Sequence, residues 1–403
     1  MDYDVAVIGG GPAGCAVARD IAAAGYKVIV VEEHQKIGEP LQCAGLISSR
    51  TLQLSRVSAG VIRNKLTGAR VHAPGGEILD LSGNRVYALA IDRVAFDRDM
   101  AAQAAEAGAE ILFSTKAESL ELVSQGVRLD LRRRGTSGRE KSEVTCRLVV
   151  GADGCRSRVA RWIGDVPQGE MVPLYAAEVE LPGQGREIVD IFIGEQVAPG
   201  WFGWVIPTGP GVARVGIGAH SHPKRFFDTL IEKHSEIFRG MRILEQTSGC
   251  VRVGYMKKAY GQRALLVGDA ACQVKPISGG GLYLGMEGAA LCAATAVNAL
   301  SAGDCSERFL SRYQKGLENK IGQEIRCGQH HREVFLGLDD QEMDHLIGFL
   351  NRHYWRKLIL KYGDLDYHSV LASKLVSAPP WAQRFLGGGL KVFLKCCGWP
   401  GIF

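Results

Sequence analysis

Gly9-x-Gly11-x-x-Gly14 is the feature that most narrows what this chain can fold into. It lies between the apolar run Val5 to Ile8 and an alanine-rich stretch ending near Ala24, and a second apolar run, Val28 to Val31, closes the unit. The spacing predicts a strand, a tight turn at Gly9, a helix stopped by Gly25, and a second buried strand. Gly9 permits the turn, Gly11 lets backbone approach a pyrophosphate, and Gly14 allows close packing of helix on strand. An anion would rest on the helix N-terminus. Glu32 ends the second strand, eighteen residues after Gly14, where its carboxylate is placed to accept from a ribose 2′-hydroxyl. Strand, helix, second strand and acid agree on a dinucleotide site in an α/β fold.

Two later segments repeat the theme. LVVGADGCRSRVARWIG (148–164) reads as a strand ending in a glycine–aspartate turn that opens a helix. ALLVGDAACQVKPISGGGLYLGMEGAALCA (264–293) reads as a strand, the pair Gly268-Asp269, a glycine-rich loop and a small-residue helix. Asp269 is placed to bind a sugar hydroxyl, and Gly279-Gly280-Gly281 to aim N–H groups at a ring or phosphate. Each alone is an ordinary strand-to-helix turn. Their order carries the weight.

That order, GxGPAG then GADGCRSRVAR then LLVGDAA…GGGL, resembles the FAD-dependent fold of the aromatic hydroxylases and their relatives. The resemblance covers about residues 1–300. It implies FAD as cofactor, with Ala13, Glu32, Arg93, Ala117, Asp269, Gly281 and Leu282 lying along it. Arg93, in IDRVAFDRDM, matches the arginine that begins a helix and approaches the flavin.

Two local motifs are similar to those of geranylgeranyl reductases, which saturate isoprenoid double bonds. IGEPLQCAGLIS (37–48) resembles their P-x-x-C-[GA]-G-[LI]-[IV]-S loop, which implies that Cys43 and Ala44 lie near the flavin. PGWFGWVIPTGPGVARVGIG (199–218) resembles their P-G-G-Y-G-W-V-F-P segment, with Phe202 at the tyrosine position and Ile206 at the phenylalanine position. Phe202, Trp204 and Pro207 are the expected substrate contacts, an apolar wall for a prenyl chain. Cys43 and Trp204 are the expected catalytic pair. Trp204 would stabilise cationic character through its ring. The proton donor stays open between Cys43, the flavin and water.

The implied reaction is flavin-dependent saturation of geranylgeranyl groups on archaeal-type digeranylgeranyl glycerophospholipids, and the sequence does not separate these from prenylated quinones or geranylgeranyl diphosphate as substrate. An FAD-dependent monooxygenase or halogenase is the alternative, because F-x-W-x-I-P (202–207) is one residue from the halogenase W-x-W-x-I-P. Halogenases need a lysine by the halide tunnel, and between residues 37 and 115 there is Lys65 alone. A non-catalytic FAD-binding sensor is the third reading. With one GxGxxG in the chain, the electron donor is expected to be ferredoxin or a transiently bound reduced nicotinamide.

Composition sets the outer limits. At 403 residues, 46% hydrophobic and a formal charge of +5, the chain has the balance of a globular protein of two to three structural units. Eleven scattered cysteines without a C-x-x-C argue against zinc ribbons and iron–sulfur cradles, and no metal is expected. No apolar run approaches the ~20 residues that cross a bilayer. A reducing, cytoplasmic setting is expected, with peripheral contact at the inner face of a membrane through the Trp-, Phe- and Lys-bearing tail and its Cys396-Cys397 pair. Basic residues form no aromatic-interleaved stripe, so nucleic acid is not an expected partner. The expected organisation is a discontinuous Rossmann-like FAD-binding domain (1–65, 91–165 and 260–302), an inserted, mainly antiparallel β-sheet substrate domain (66–90 and 166–259) and a helical C-terminal region (303–403).

Overall fold

Val5, Ala6, Val7 and Ile8 are all buried, and the reason is topological: Tyr3–Ile8 is a central strand, covered on both faces. It pairs in parallel with Gly138–Gly151 on one side and Val28–Val31 on the other. Parallel strands sheathed in helices read as unbroken apolar runs, as these do. The sheet continues through Ala264–Leu266 to Tyr260–Gly261 at one edge and reaches Glu110–Leu112 at the other. Gly126–Gly135 extends it as an antiparallel neighbour of Gly138–Gly151, and Thr115–Val123 pairs antiparallel with Gly126–Gly135 in turn, which makes eight strands. Helix Pro12–Ala23 packs against helices Arg93–Glu106 and Leu282–Ala302. The structure, a computed structural model, describes residues 1–41, 43–135, 138–183 and 187–376; the tail carrying Cys396-Cys397 lies outside the described residues.

A second sheet of seven strands runs Arg242–Tyr255, Gln168–Glu180, Val212–Gly218, Gly203–Gly209, Ile188–Phe192, Gly68–His72, Ile78–Asp80. All its pairings are antiparallel except Ile188–Phe192 on Gly68–His72. Period-2 alternation divides its side chains between two cores. Val205 joins Phe192 and Ile217 beneath helix Pro223–Lys233, whose Phe227 and Leu230 are fully buried there. Trp204 and Ile206 point the other way, into a cluster with Trp201, Val251 and Val274. Ala88–Ile91 belongs to neither large sheet; it pairs with Leu46–Ile47 and Ile62–Leu66 in a small sheet of three.

Between residues 307 and 376 the described chain is helical, with helices Glu307–Leu317, Gln323–Leu336, Asp340–Leu350, His353–Tyr362 and His368–Val376. Ser306 caps the first by accepting from Phe309 N, and Asp339 with Glu342 forms a capping box on Asp340–Leu350. Among the described residues, no helix is long and apolar enough to cross a membrane.

Candidate active site

The first glycine turn is shaped by what it cannot accommodate. Gly9 has φ +105°, and a Cβ there would lie 2.3 Å from Ala152 O. Gly14 would bring one within 2.1 Å of Gly9 O, so helix and strand close only on bare backbone. Gly11 differs: a Cβ there meets no heavy atom within 4 Å, and no side chain caps the helix that starts after it. The first N–H groups of Pro12–Ala23 therefore face open space, the arrangement that accepts a phosphate. Glu32 is buried at the end of its strand. Its Oε2 accepts from Gly10 N at 2.7 Å and its Oε1 from His34 N at 2.8 Å, so the carboxylate pins the turn from behind.

The third turn meets the first. Ala13 Cβ lies 3.0 Å from where a Cβ on Gly268 would be, which brings the two loops into contact. Asp269 sits in the 3-10 turn Gly268–Ala271, just past its strand, and its Oδ1 would be 2.8 Å from a Cβ on Gly281. Burial pushes the Asp269 carboxyl up from the ordinary aspartate range, while Arg93 pulls it back down. Gly279 takes φ +70°, Gly280 lies against the Lys275 side chain, and Gly281 starts helix Leu282–Ala302 with no side-chain cap. Leu282, half-buried, is that helix's first residue and packs on the main core. A second uncapped helix N-terminus is thus aimed at the same region as the first.

Arg93 ties the Cys43 loop to this centre. It opens its helix under the Asp92 cap and grips Asp97 through Nε at 2.9 Å and Nη2 at 2.7 Å. Burial disfavours its charge, but Asp97 and Cys43 beside it together hold its pKa above the usual arginine value. Cys43 Sγ, half-buried, accepts from Gly45 N at 3.4 Å. Ala44 packs into the aromatic cluster, and its carbonyl accepts from Arg214 Nη1 at 3.1 Å. Ala117 is buried in the strand Thr115–Val123, where its carbonyl accepts from Arg158.

The aromatic segment lies on the seven-stranded sheet. Phe202 stacks on Trp201 with centroids 5.3 Å apart and meets Trp204 edge-on at 5.9 Å. Room for the indoles comes from the neighbouring strand: Gly216 and Gly218 would place a Cβ 2.3 Å from Trp204 Cζ2 and 2.1 Å from Trp201 Cδ1. Trp204 Nε1 is buried without a partner. Pro207, also buried, pairs with Ala213 and accepts from Asn64 Nδ2, outside the aromatic cluster itself.

Four residues beyond those named from sequence complete the site. Trp201 is the side chain that touches the glycine loop, 3.1 Å from a Cβ on Gly279; it stood beside Phe202 in the same motif. Arg332, from the C-terminal helices, stacks over Trp201 at 4.4 Å and pairs with Glu170 at 2.7 Å. Lys275, the one charge in AACQVKPISGGG, is buried, and burial lowers its pKa while Asp366 opposes that fall. Its Nζ donates to Leu365 O at 2.6 Å, and Leu365 packs on the aromatic cluster. The signal for Lys275 was in the sequence; those for Arg332 and Leu365 were not, because they arrive from a helix and an inter-helix bend far along the chain. Among the described residues, no group of three or more His, Cys, Asp or Glu side chains is arranged to hold a metal.

Residues 2–321 match the model of the FAD binding domain family. The digeranylgeranylglycerophospholipid reductase of Methanosarcina acetivorans is 32% identical over 367 residues, covering 85% of this chain and 87% of that protein. Digeranylgeranylglycerophospholipid reductase 1 of Methanothermobacter thermautotrophicus is 31% identical over 409 residues, covering 96% and 98%. Among solved structures, a geranylgeranyl bacteriochlorophyll reductase-like protein from Thermoplasma acidophilum superposes with a TM-score of 0.84 at 25% identity, covering 95% of this chain and 98% of that one.

Proposed function

The chain belongs to the FAD binding domain family and, within it, to the group of digeranylgeranylglycerophospholipid reductases, and we propose that it saturates the geranylgeranyl double bonds of archaeal-type glycerophospholipids. The observation that carries this reading is the contact of Trp201 with Gly279, which sets an aromatic wall directly against the cofactor loop. The chain is a flavoprotein, and the residues present fit FAD: the open backbone at Gly11 suits its pyrophosphate, while Glu32, Arg93, Asp269 and the two uncapped helix N-termini surround the rest. Bound and reduced, FAD supplies the hydride for an unactivated alkene. The protein's part is to hold that alkene dry and correctly placed.

An isolated trisubstituted double bond has no carbonyl to polarise, so cationic character develops as it is reduced. Trp204, 8% exposed, and its neighbours Trp201 and Phe202 offer ring faces to that charge while excluding water. The proton for the second carbon comes from Cys43, the flavin or water, with Arg93 beside Cys43 fixing the loop. A protein donor or reduced nicotinamide delivers the electrons, and lipid reaches the site from a membrane surface by peripheral contact.

The test is anaerobic. Protein with bound FAD is reduced with dithionite and mixed with digeranylgeranyl glycerophospholipid, and products are weighed by mass spectrometry. A gain of two hydrogens per double bond, with reoxidation of the flavin, is expected. A reduced flavoprotein that leaves every prenyl lipid unchanged, or that adds oxygen or halogen in air, would overturn the reading.

A further inference from the structure

Cys155 and Cys250 are 95 residues apart in sequence, yet their sulfurs lie 3.3 Å from each other as free thiols. Cys155 belongs to the GADGCRS turn after strand Gly138–Gly151, and Cys250 to strand Arg242–Tyr255 of the seven-stranded sheet. The turn is held firmly. Asp153 accepts from Ser157 Oγ at 2.6 Å and from Arg158 N at 2.6 Å. The strand reaches back to it, with Arg252 Nε donating to Cys155 O at 3.1 Å. Both cysteines are partly exposed, and the next residue on the strand, Val251, is 3.6 Å from a Cβ on Gly279 of the glycine loop.

We propose that Cys155 and Cys250 are a redox modification site, a dithiol that a small-molecule disulfide converts to a disulfide stapling the second nucleotide-binding turn to the substrate sheet. Closing the bond requires roughly 1.3 Å of approach from the observed contact, since a disulfide is about 2.05 Å long. Burial and the neighbouring Cys250 push the Cys155 thiol up to about 12, which slows the exchange without changing its product. Cys250 sulfur bonds to one sulfur of the added disulfide and expels one thiol. Cys155 then attacks the Cys250 sulfur of this mixed disulfide and expels the second. Two protein thiols are oxidised, and one disulfide is reduced to two thiols that carry the two protons. Pairs of this kind in reducing compartments are transient and redox-sensing rather than permanent.

Full-length, FAD-loaded protein equilibrated with oxidised and reduced glutathione at graded ratios, alkylated and digested, tests the assignment. A peptide pair linked through Cys155 and Cys250 is expected, appearing as the buffer becomes more oxidising and vanishing on dithiothreitol treatment. The thermal midpoint should rise with it and fall back on reduction. Cys155→Ser should abolish the linked pair and accumulate glutathione on Cys250. Alkylation of both cysteines at every ratio, glutathione stably attached to wild-type Cys250, or linkage to any other cysteine would overturn the proposal.

Discussion

The Trp204 indole occupies the space that a side chain at position 216 would need: a Cβ on Gly216 would lie 2.3 Å from Trp204 Cζ2. The two residues are directly opposite in neighbouring strands, so the tryptophan crosses its partner's backbone and not a side chain. Gly216→Ala therefore displaces the ring. Overpacking of this kind costs about 1–3 kcal/mol. The variant should keep FAD, lose at least tenfold in kcat/KM for lipid, and show a changed near-ultraviolet dichroism of its tryptophans.

Removing the ring separates wall from cofactor. Trp204→Ala should retain flavin absorbance per protein and lose most lipid reduction, while Trp204→Phe, which keeps a ring face and drops the unpartnered Nε1, should retain more activity. A Phe variant as inactive as the Ala variant would remove the role assigned to the ring face. Cys43→Ala should likewise bind FAD and slow turnover, measured by flavin reoxidation under anaerobic conditions.

Gly9→Ala addresses the cofactor end. The new methyl would meet Ala152 O at 2.3 Å with the backbone at φ +105°, so the turn cannot close as it does now. Loss of bound flavin is expected, read as visible absorbance relative to protein after gel filtration, together with a lower thermal midpoint.

The buried pair of Lys275 and Asp366 joins the glycine loop to the segment before the last described helix, Nζ to Oδ1 at 3.4 Å. Arg50, held mainly by Asp364 at 2.5 Å, also reaches Asp366 at 3.3 Å. Asp366→Ala strands a buried charge and should cost on the order of 3 kcal/mol in urea unfolding. Lys275→Met combined with Asp366→Asn should recover a large part of that loss, because neither buried charge then remains.

Acid should loosen the same segment. Burial, with Lys275 and His331 nearby, pulls the His368 pKa down to about 4 from an ordinary 6.5. The unfolded chain takes up this proton as pH falls through 6.5, and the folded chain resists until about 4. Stability from neutral His368 is thus complete above pH 6.5 and lost progressively down to about pH 4, a drop on the order of 3 kcal/mol. Unfolding midpoints across that range should decline more gently in His368→Gln.

Much of the nucleotide half was legible in the primary sequence. Strands Val5 to Ile8 and Val28 to Val31 are apolar throughout because both faces are covered, and Gly9 and Gly14 between them sit where a Cβ would strike backbone. Such local steric rules act over a few residues, so they leave a mark on adjacent letters. The aromatic wall was half legible. Phe202 and Trp204 stood out by likeness to the reductase motif, but the contact with the glycine loop is made by Trp201, and which ring turns that way depends on the packing of two sheets.

What the sequence determined by itself was the dinucleotide turn, the small-residue helices around it and the alternation of the substrate sheet, since each follows from backbone sterics or from a period of two. Tertiary structure alone decided that Arg332 covers Trp201, that Lys275 is bound by Asp366, and that the sulfurs of Cys155 and Cys250 touch. Those contacts join segments 91 to 131 positions apart, far beyond the reach of any local rule. Their energies come from burying charge, sulfur and ring faces together, which depends on how whole sheets and helices dock and leaves no periodic trace along the chain.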